Sequence, residues 1–416
     1  MKLVFFFFVF CMIGGGSLTA QTRFNTSVSS PLIHSLQLHA GDELISDPMI
    51  ELGGNEQLEI NFDVIGDNYS RYLYSIIHCN ADWTPSGLVS TEYMTGFQQM
   101  EIEDFANSLA TTTAYTNYRF FLPNEDVTFK LSGNYAVQVF DEADRSKVLF
   151  TACFFVTESV VPVDAEVTGI TDIDVNKHHQ QLSFVIRNKN FQIPHPVTDL
   201  KLFVYQNGRR DNAVTGLKPS AISQNELLYS HTPELIFKAG NEYRRMEFLS
   251  NKYNGMNVQN IQFHNPYYHV TLYPDQIRNQ GSYQYDQDQN GRFFVQCSNC
   301  EDPDVEADYH IVHFSLEADE IPAGKVYLDG LFMNNQFNES SRMEYNSERK
   351  QYEKSLLLKQ GNYNYQYLFV PDGETKGQTF PIEGDFAETE NEYLILVYYR
   401  PIGARYDRLI GFSKIN

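Results

Sequence analysis

Tryptophan, cysteine and positive charge are all scarce in this chain. Its 416 residues include one Trp and five Cys, and 31 Lys and Arg stand against 53 Asp and Glu, for a formal net charge of −22. Such an acidic surface repels phosphate backbones and anionic headgroups, which argues against nucleic acid as a partner. Signatures of nucleophilic catalysis are missing too: there is no Gly-x-Ser-x-Gly elbow and no Cys/His pair at a recognisable spacing. No enzyme activity, small-molecule substrate or cofactor is therefore expected, and no catalytic residue is assigned.

Long apolar runs are absent except at the start. Residues 3–13 are unbroken apolar, preceded by Lys2 and followed by Gly14-Gly15-Gly16-Ser17 and Leu18-Thr19-Ala20. This is the charged, apolar, small-residue order of a secretory signal, expected to occupy residues 1–20 with cleavage after Ala20. Its apolar core is too short to span a bilayer. Cys11 does not fit a lipid attachment site, because Phe10 stands where a small residue is needed. The expected product is an exported chain without a helical anchor.

What the chain has in quantity is Tyr (27) and Phe (31), both strand formers. Period-2 alternation recurs. Leu58, Ile60, Phe62 and Val64 alternate with Glu59, Asn61 and Asp63, which reads as a half-buried strand. Tyr135, Val137 and Val139 repeat the pattern, another strand covers residues 148–156, and Pro123-Asn124-Glu125-Asp126 marks a turn. Gln206-Asn207-Gly208 is a strong hairpin signal. The fold expected is all-β, with tandem β-sandwich domains of immunoglobulin-like or early-set-like type. An extended, Pro-containing link at residues 160–163 and an acidic stretch at 301–304 suggest three consecutive domains: 21–160, a middle β domain at 161–304, and a C-terminal domain at 305–416.

Several groups could carry chemistry. Asp286, Asp288 and Asn290, followed by Gly291, match the first half of a calcium loop, but the twelfth position is Cys297 rather than a bidentate Glu. A hairpin turn between Tyr283–Tyr285 and Phe293–Val295 is the favoured reading, and no metal is assigned. Cys297 and Cys300 form a CxxC pair for which a structural disulfide in an oxidising compartment ranks first and free thiols second; the redox state of Cys79, Cys153, Cys297 and Cys300 stays open. Zinc shared between that pair and His310 and His313 ranks well behind. His178 and His179 adjoin, which in a strand points them to opposite faces. Tyr363, Tyr365 and Tyr367 share one face, suited to packing or, as the alternative function, to a polysaccharide-binding platform. Irregular strand spacing and a polar C-terminus argue against a membrane barrel.

Three motifs together carry a resemblance: His78-Cys79-Asn80-Ala81-Asp82-Trp83-Thr84-Pro85-Ser86, then Phe263-His264-Asn265-Pro266-Tyr267, then residues 392–400 with Arg405-Tyr406-Asp407-Arg408-Leu409-Ile410-Gly411. In this order they resemble the type 9 secretion system plug protein family of Bacteroidota, over essentially the whole exported chain. The resemblance implies a non-catalytic protein of the periplasm, held at the outer membrane through its partner, a giant translocon barrel whose periplasmic mouth it closes. The family offers no role for Cys297 and Cys300.

Overall fold

The computed structural model describes residues 22–66 and 69–416; the expected signal segment and its cleavage after Ala20 lie outside the described residues. The chain is nearly all β, with 47% of residues in strands and 5% in helices, arranged as tandem β-sandwiches. Among the described residues no helix is long and apolar enough to cross a membrane.

In the first sandwich, one sheet orders Ser27–Val28, Asp144–Thr157, Gly133–Asp141, Tyr72–Cys79 and Met100–Glu101, with Met49–Glu51 added parallel to Asp144–Thr157. The facing sheet orders Ile33–Ala40, Leu58–Ile65, Tyr115–Leu122 and Asp104–Asn107. The alternating side chains Leu58, Ile60 and Phe62 are fully buried against Val137, Val139, Phe150 and Phe154, each contributing about 1.5–3 kcal/mol of burial. The opposite face of Leu58–Ile65 does not meet solvent as the alternation suggested. Asn61 and Asp63 are buried there, because another part of the chain covers that face.

The strand pairing divides the rest differently from the expected 161–304 and 305–416. A second sandwich sets Val163–Thr168, His179–Arg187, Glu226–Tyr229 and Ala221–Ile222 against a sheet ordered Val214–Thr215, Leu200–Gln206, Tyr393–Tyr399, Arg408–Ile415. The final two strands thus complete a sheet begun almost two hundred residues earlier, with Val204 opposite Ile395. Tyr393–Tyr399 is buried at every position or nearly so, since its two faces pack into two different cores. That explains its unbroken apolar run. The segment between Lys238 and Tyr393 forms a third sandwich inserted into the second. Its sheets are Arg244–Phe248, Gly361–Pro371 and Phe293–Val295, joined by Gly324–Asp329, facing Val258–His264, Tyr267–Leu272, Tyr309–Glu317, Gln351–Lys359 and Glu344–Asn346.

The local turn signal held where the long-range one failed. Asn207 and Gly208 both take left-handed φ (52° and 66°), as a type I′ turn needs, and Leu200–Gln206 turns back to pair with Val214–Thr215.

Candidate functional site

The three sandwiches meet along buried seams, and two of the sequence motifs build the first of them. Residues 78–86 leave Tyr72–Cys79 as a tight loop against residues 398–409 of the second sandwich. Ala81 N donates to Asp407 Oδ2 (3.0 Å), as does Lys201 Nζ (3.0 Å). Asn134 bridges the seam: its Nδ2 donates to Asn80 O (3.2 Å) while its Oδ1 accepts from Tyr398 OH (2.6 Å). Trp83 packs edge-on to Phe155, and the Arg210 guanidinium lies 3.8 Å from the centre of its ring. Around these groups Cys79, Cys153, Leu394, Leu396 and Leu409 form a core shared by the two sandwiches.

His78 sits at the centre of that seam. Its Nε2 donates to Ser132 O (3.1 Å), and its ring meets Tyr406 edge-on. Burial pushes the imidazole down to about 4, and the backbone bond and the Asp407 charge offset this only in part. His78 is therefore neutral at neutral pH. Gly133 makes the fit possible: a Cβ there would lie 2.8 Å from His78 Nε2 and 3.1 Å from Asp407 O, and its φ of 139° disfavours other residues.

A second seam joins the first sandwich to the inserted one. Lys359 Nζ donates to Asp63 Oδ2 (2.6 Å) and to Asp304 O (2.7 Å), and lies 4.2 Å from the centre of the Tyr115 ring. Tyr309 OH donates to the same Asp63 oxygen (2.6 Å), Asn117 Nδ2 to the other (2.9 Å). Asp308 accepts the backbone N–H groups of Thr112 and Thr113 at 3.0 Å each.

All three sandwiches converge on Arg292. It reaches Asp47 of the first (2.8 Å) and Glu392 of the second (2.6 Å), and Lys414 closes the ring at 2.8 Å from each carboxylate. Burial raises the Asp47 carboxyl, but Arg292 and Lys414 outweigh it and hold the group below its ordinary value. These seams match charge with charge and leave three units held as one body.

The expected site residues fall in less active places. Asp286 pairs with Arg245, and Asp288 accepts backbone N–H groups from Tyr243 and Asn290, so their oxygens are engaged by protein donors. Burial raises Asp288 to about 7. The hairpin expected there does not form: residues 283–285 are irregular, and Phe293–Val295 pairs with Gly361–Pro371 instead. Among the described residues no three ligating side chains surround one point. Cys297 is disulfide-bonded to Cys300, whereas Cys79 and Cys153 are free and buried. Tyr363, Tyr365 and Tyr367 lie at 1%, 1% and 0% exposure in the inserted core, so they offer no platform to a sugar. His178 Nδ1 lies 2.9 Å from Asp385 O and His179 Nδ1 2.7 Å from Asp174 Oδ2, each in its own contact. Sequence reasoning missed Asp63, Lys359 and Arg292, which carry the seams; nothing local marks a pairing 296 residues apart.

One apolar projection is exposed. Ile170, Ile173 and Val175 stand at 63%, 61% and 59% on the turn between Val163–Thr168 and His179–Arg187. The turn is pinned from within, Thr171 Oγ1 donating to Asp174 O (2.8 Å) and Gln181 Nε2 to Asp172 Oδ2 (2.8 Å).

Residues 33–158, the first sandwich, match the family model described as "Type 9 secretion system plug protein 1st domain". That sets the protein among secretion-system components built from β-sandwiches. The chain belongs to the type 9 secretion system plug family. Among solved structures it is similar to a hypothetical protein from Parabacteroides merdae, 62% identical, covering 95% of this chain and 100% of that one, with a TM-score of 0.94. A search of curated proteins finds no match.

Proposed function

We propose that the chain is a non-catalytic periplasmic subunit that closes the periplasmic opening of the outer-membrane translocon barrel of the type 9 secretion system. The observation that carries this reading is the family match over residues 33–158. The architecture supports it. A plug needs a wide body that does not flex under load, and three sandwiches locked by Asp407, Asp63–Lys359 and Arg292 supply one. It needs no reaction chamber, and the charged groups at the seams are occupied in holding the body together.

The test is a pull-down from gently solubilised outer membrane combined with a deletion strain. Co-purification with a very large outer-membrane protein, and sensitivity of the deletion strain to antibiotics normally too large to enter, are expected. A chain that migrates alone, in cells whose permeability is unchanged by its loss, would sink the reading.

A further inference from the structure

Arg210 stands apart from the other arginines. Each of the rest among the described residues pairs with an Asp or Glu carboxylate, and Arg210 pairs with none. Its sequence neighbour Asp211 is spent on Arg209 at 2.6 Å. What Arg210 has instead is an aromatic ring and a carbonyl. Its guanidinium lies 3.8 Å from the centre of the Trp83 ring, and its Nη1 donates to Phe24 O at 3.1 Å. The Cys153 thiol, a weak acceptor, lies beside it. In a chain with 53 acidic residues against 31 basic ones, a half-buried cation left without a counter-charge is out of keeping with the rest of the body.

That cation lines a cavity of about 170 Å³ where the three sandwiches converge. Leu36 and Phe155 of the first, Leu394 of the second, and Phe293 and Leu331 of the inserted one give it an apolar wall. Leu44 and Ile45, exposed by 54% and 39%, stand at its rim. Asp47 and Arg292 also reach the wall, but they are spent on each other at 2.8 Å and on the ring that Lys414 and Glu392 complete. Arg210 is thus the one charge in the lining without an opposite charge of its own.

We infer that this cavity binds a small apolar-tailed carboxylate, its head on Arg210 and its tail along Leu36, Phe155 and Leu394. A guanidinium offers five N–H donors in a planar fork that matches a carboxylate, and stacking on Trp83 fixes the plane of that fork. An apolar cavity of about 150 Å³ accepts benzene, so one of about 170 Å³ takes a tail of roughly six to ten carbon atoms. The net charge of −22 opposes anions at long range, so burial of the tail supplies most of the affinity and Arg210 the choice of head group.

The test is calorimetric titration of the chain with sodium octanoate and, separately, with octanamide, which keeps the tail and removes the charge. Trp83 is the single Trp of the chain and lies against Arg210, so its emission follows the same titrations. One equivalent of octanoate with a Kd below about 1 mM is expected, with hexanoate weaker by roughly tenfold for its two missing CH₂ groups and octanamide weaker by about tenfold. Arg210→Gln should weaken octanoate by about tenfold and leave octanamide unchanged, a split that mere damage to the cavity would not produce. Ile45→Asp, at the exposed rim, carries little folding risk and sets a like charge beside the head group, so it should also weaken octanoate more than octanamide. Octanoate that does not bind below about 10 mM, equal affinity for octanoate and octanamide, or octanoate binding unchanged in the folded variants overturns the inference.

Discussion

Lys359 and Asp63 are 296 residues apart in sequence, and their side chains, exposed by 2% and 1%, meet at 2.6 Å between two sandwiches. Each charge is buried where the other is its main compensation. Removing one partner leaves a desolvated charge unpaired, and such losses run to about 3–5 kcal/mol. Lys359→Met should lower the unfolding free energy obtained from urea denaturation by that order. The double variant Lys359→Met with Asp63→Asn should lose less than the sum of the two single losses. Additive losses in the denaturation series would show that the two groups are not coupled.

Stability should rise with pH between about 4 and 6.5. The unfolded imidazole of His78 takes up a proton near 6.5, while the buried one resists until about 4. In that window the unfolded state binds more protons, so acid favours unfolding, by an amount on the order of 3 kcal/mol over the window. His78→Gln, which keeps a donor for Ser132 O, should flatten this slope when unfolding free energy is measured across pH 4–7.

Tyr365 and its neighbours should matter to stability and not to sugars. Tyr365→Ala removes a buried ring and its bond to Asp275 Oδ2 (2.9 Å), at a cost of about 3–5 kcal/mol. The unaltered protein should pass through a polysaccharide affinity gel unretarded. Retardation abolished by a folded Tyr365 variant would reverse this assignment.

The chain lacking residues 1–20 should show two reactive thiols when unfolded without reductant and four after reduction, because Cys297 and Cys300 are paired while Cys79 and Cys153 are not. In the native state both free thiols should react slowly. Each is buried, and burial raises the pKa of both, which depletes the thiolate that reacts. A thiol count with a chromogenic disulfide reagent separates these states.

The features legible in the sequence were local. The alternation from Leu58 to Val64 fixed which side chains enter the first core, and Asn207-Gly208 announced its turn, because both signals act over a few residues. Alternation cannot say what covers the other face of a strand. Asp63 and Asn61 therefore looked solvent-facing until the inserted sandwich was seen to cap them. Tyr363, Tyr365 and Tyr367 did share a face, but only the packing shows that this face is the core. The domain boundary at 304 failed for the same reason. An acidic stretch reads as a link, whereas the true division depends on Leu200–Gln206 pairing with strands at the far end of the chain.

The two-part construction of the second sandwich sets an order of completion. A chain exported from its N-terminus can finish the first sandwich once residue 158 has emerged, and the inserted one soon after residue 390. The second must hold Leu202 and Val204 with only the short strand Val214–Thr215 beside them until Tyr393–Tyr399 and Arg408–Ile415 arrive on the other side. A prematurely ended product keeps an open, apolar sheet edge, the kind of surface that invites aggregation and proteolysis. Closure of the second sandwich therefore waits on residues 393–415, which seal a sheet whose other strands were made some two hundred residues earlier.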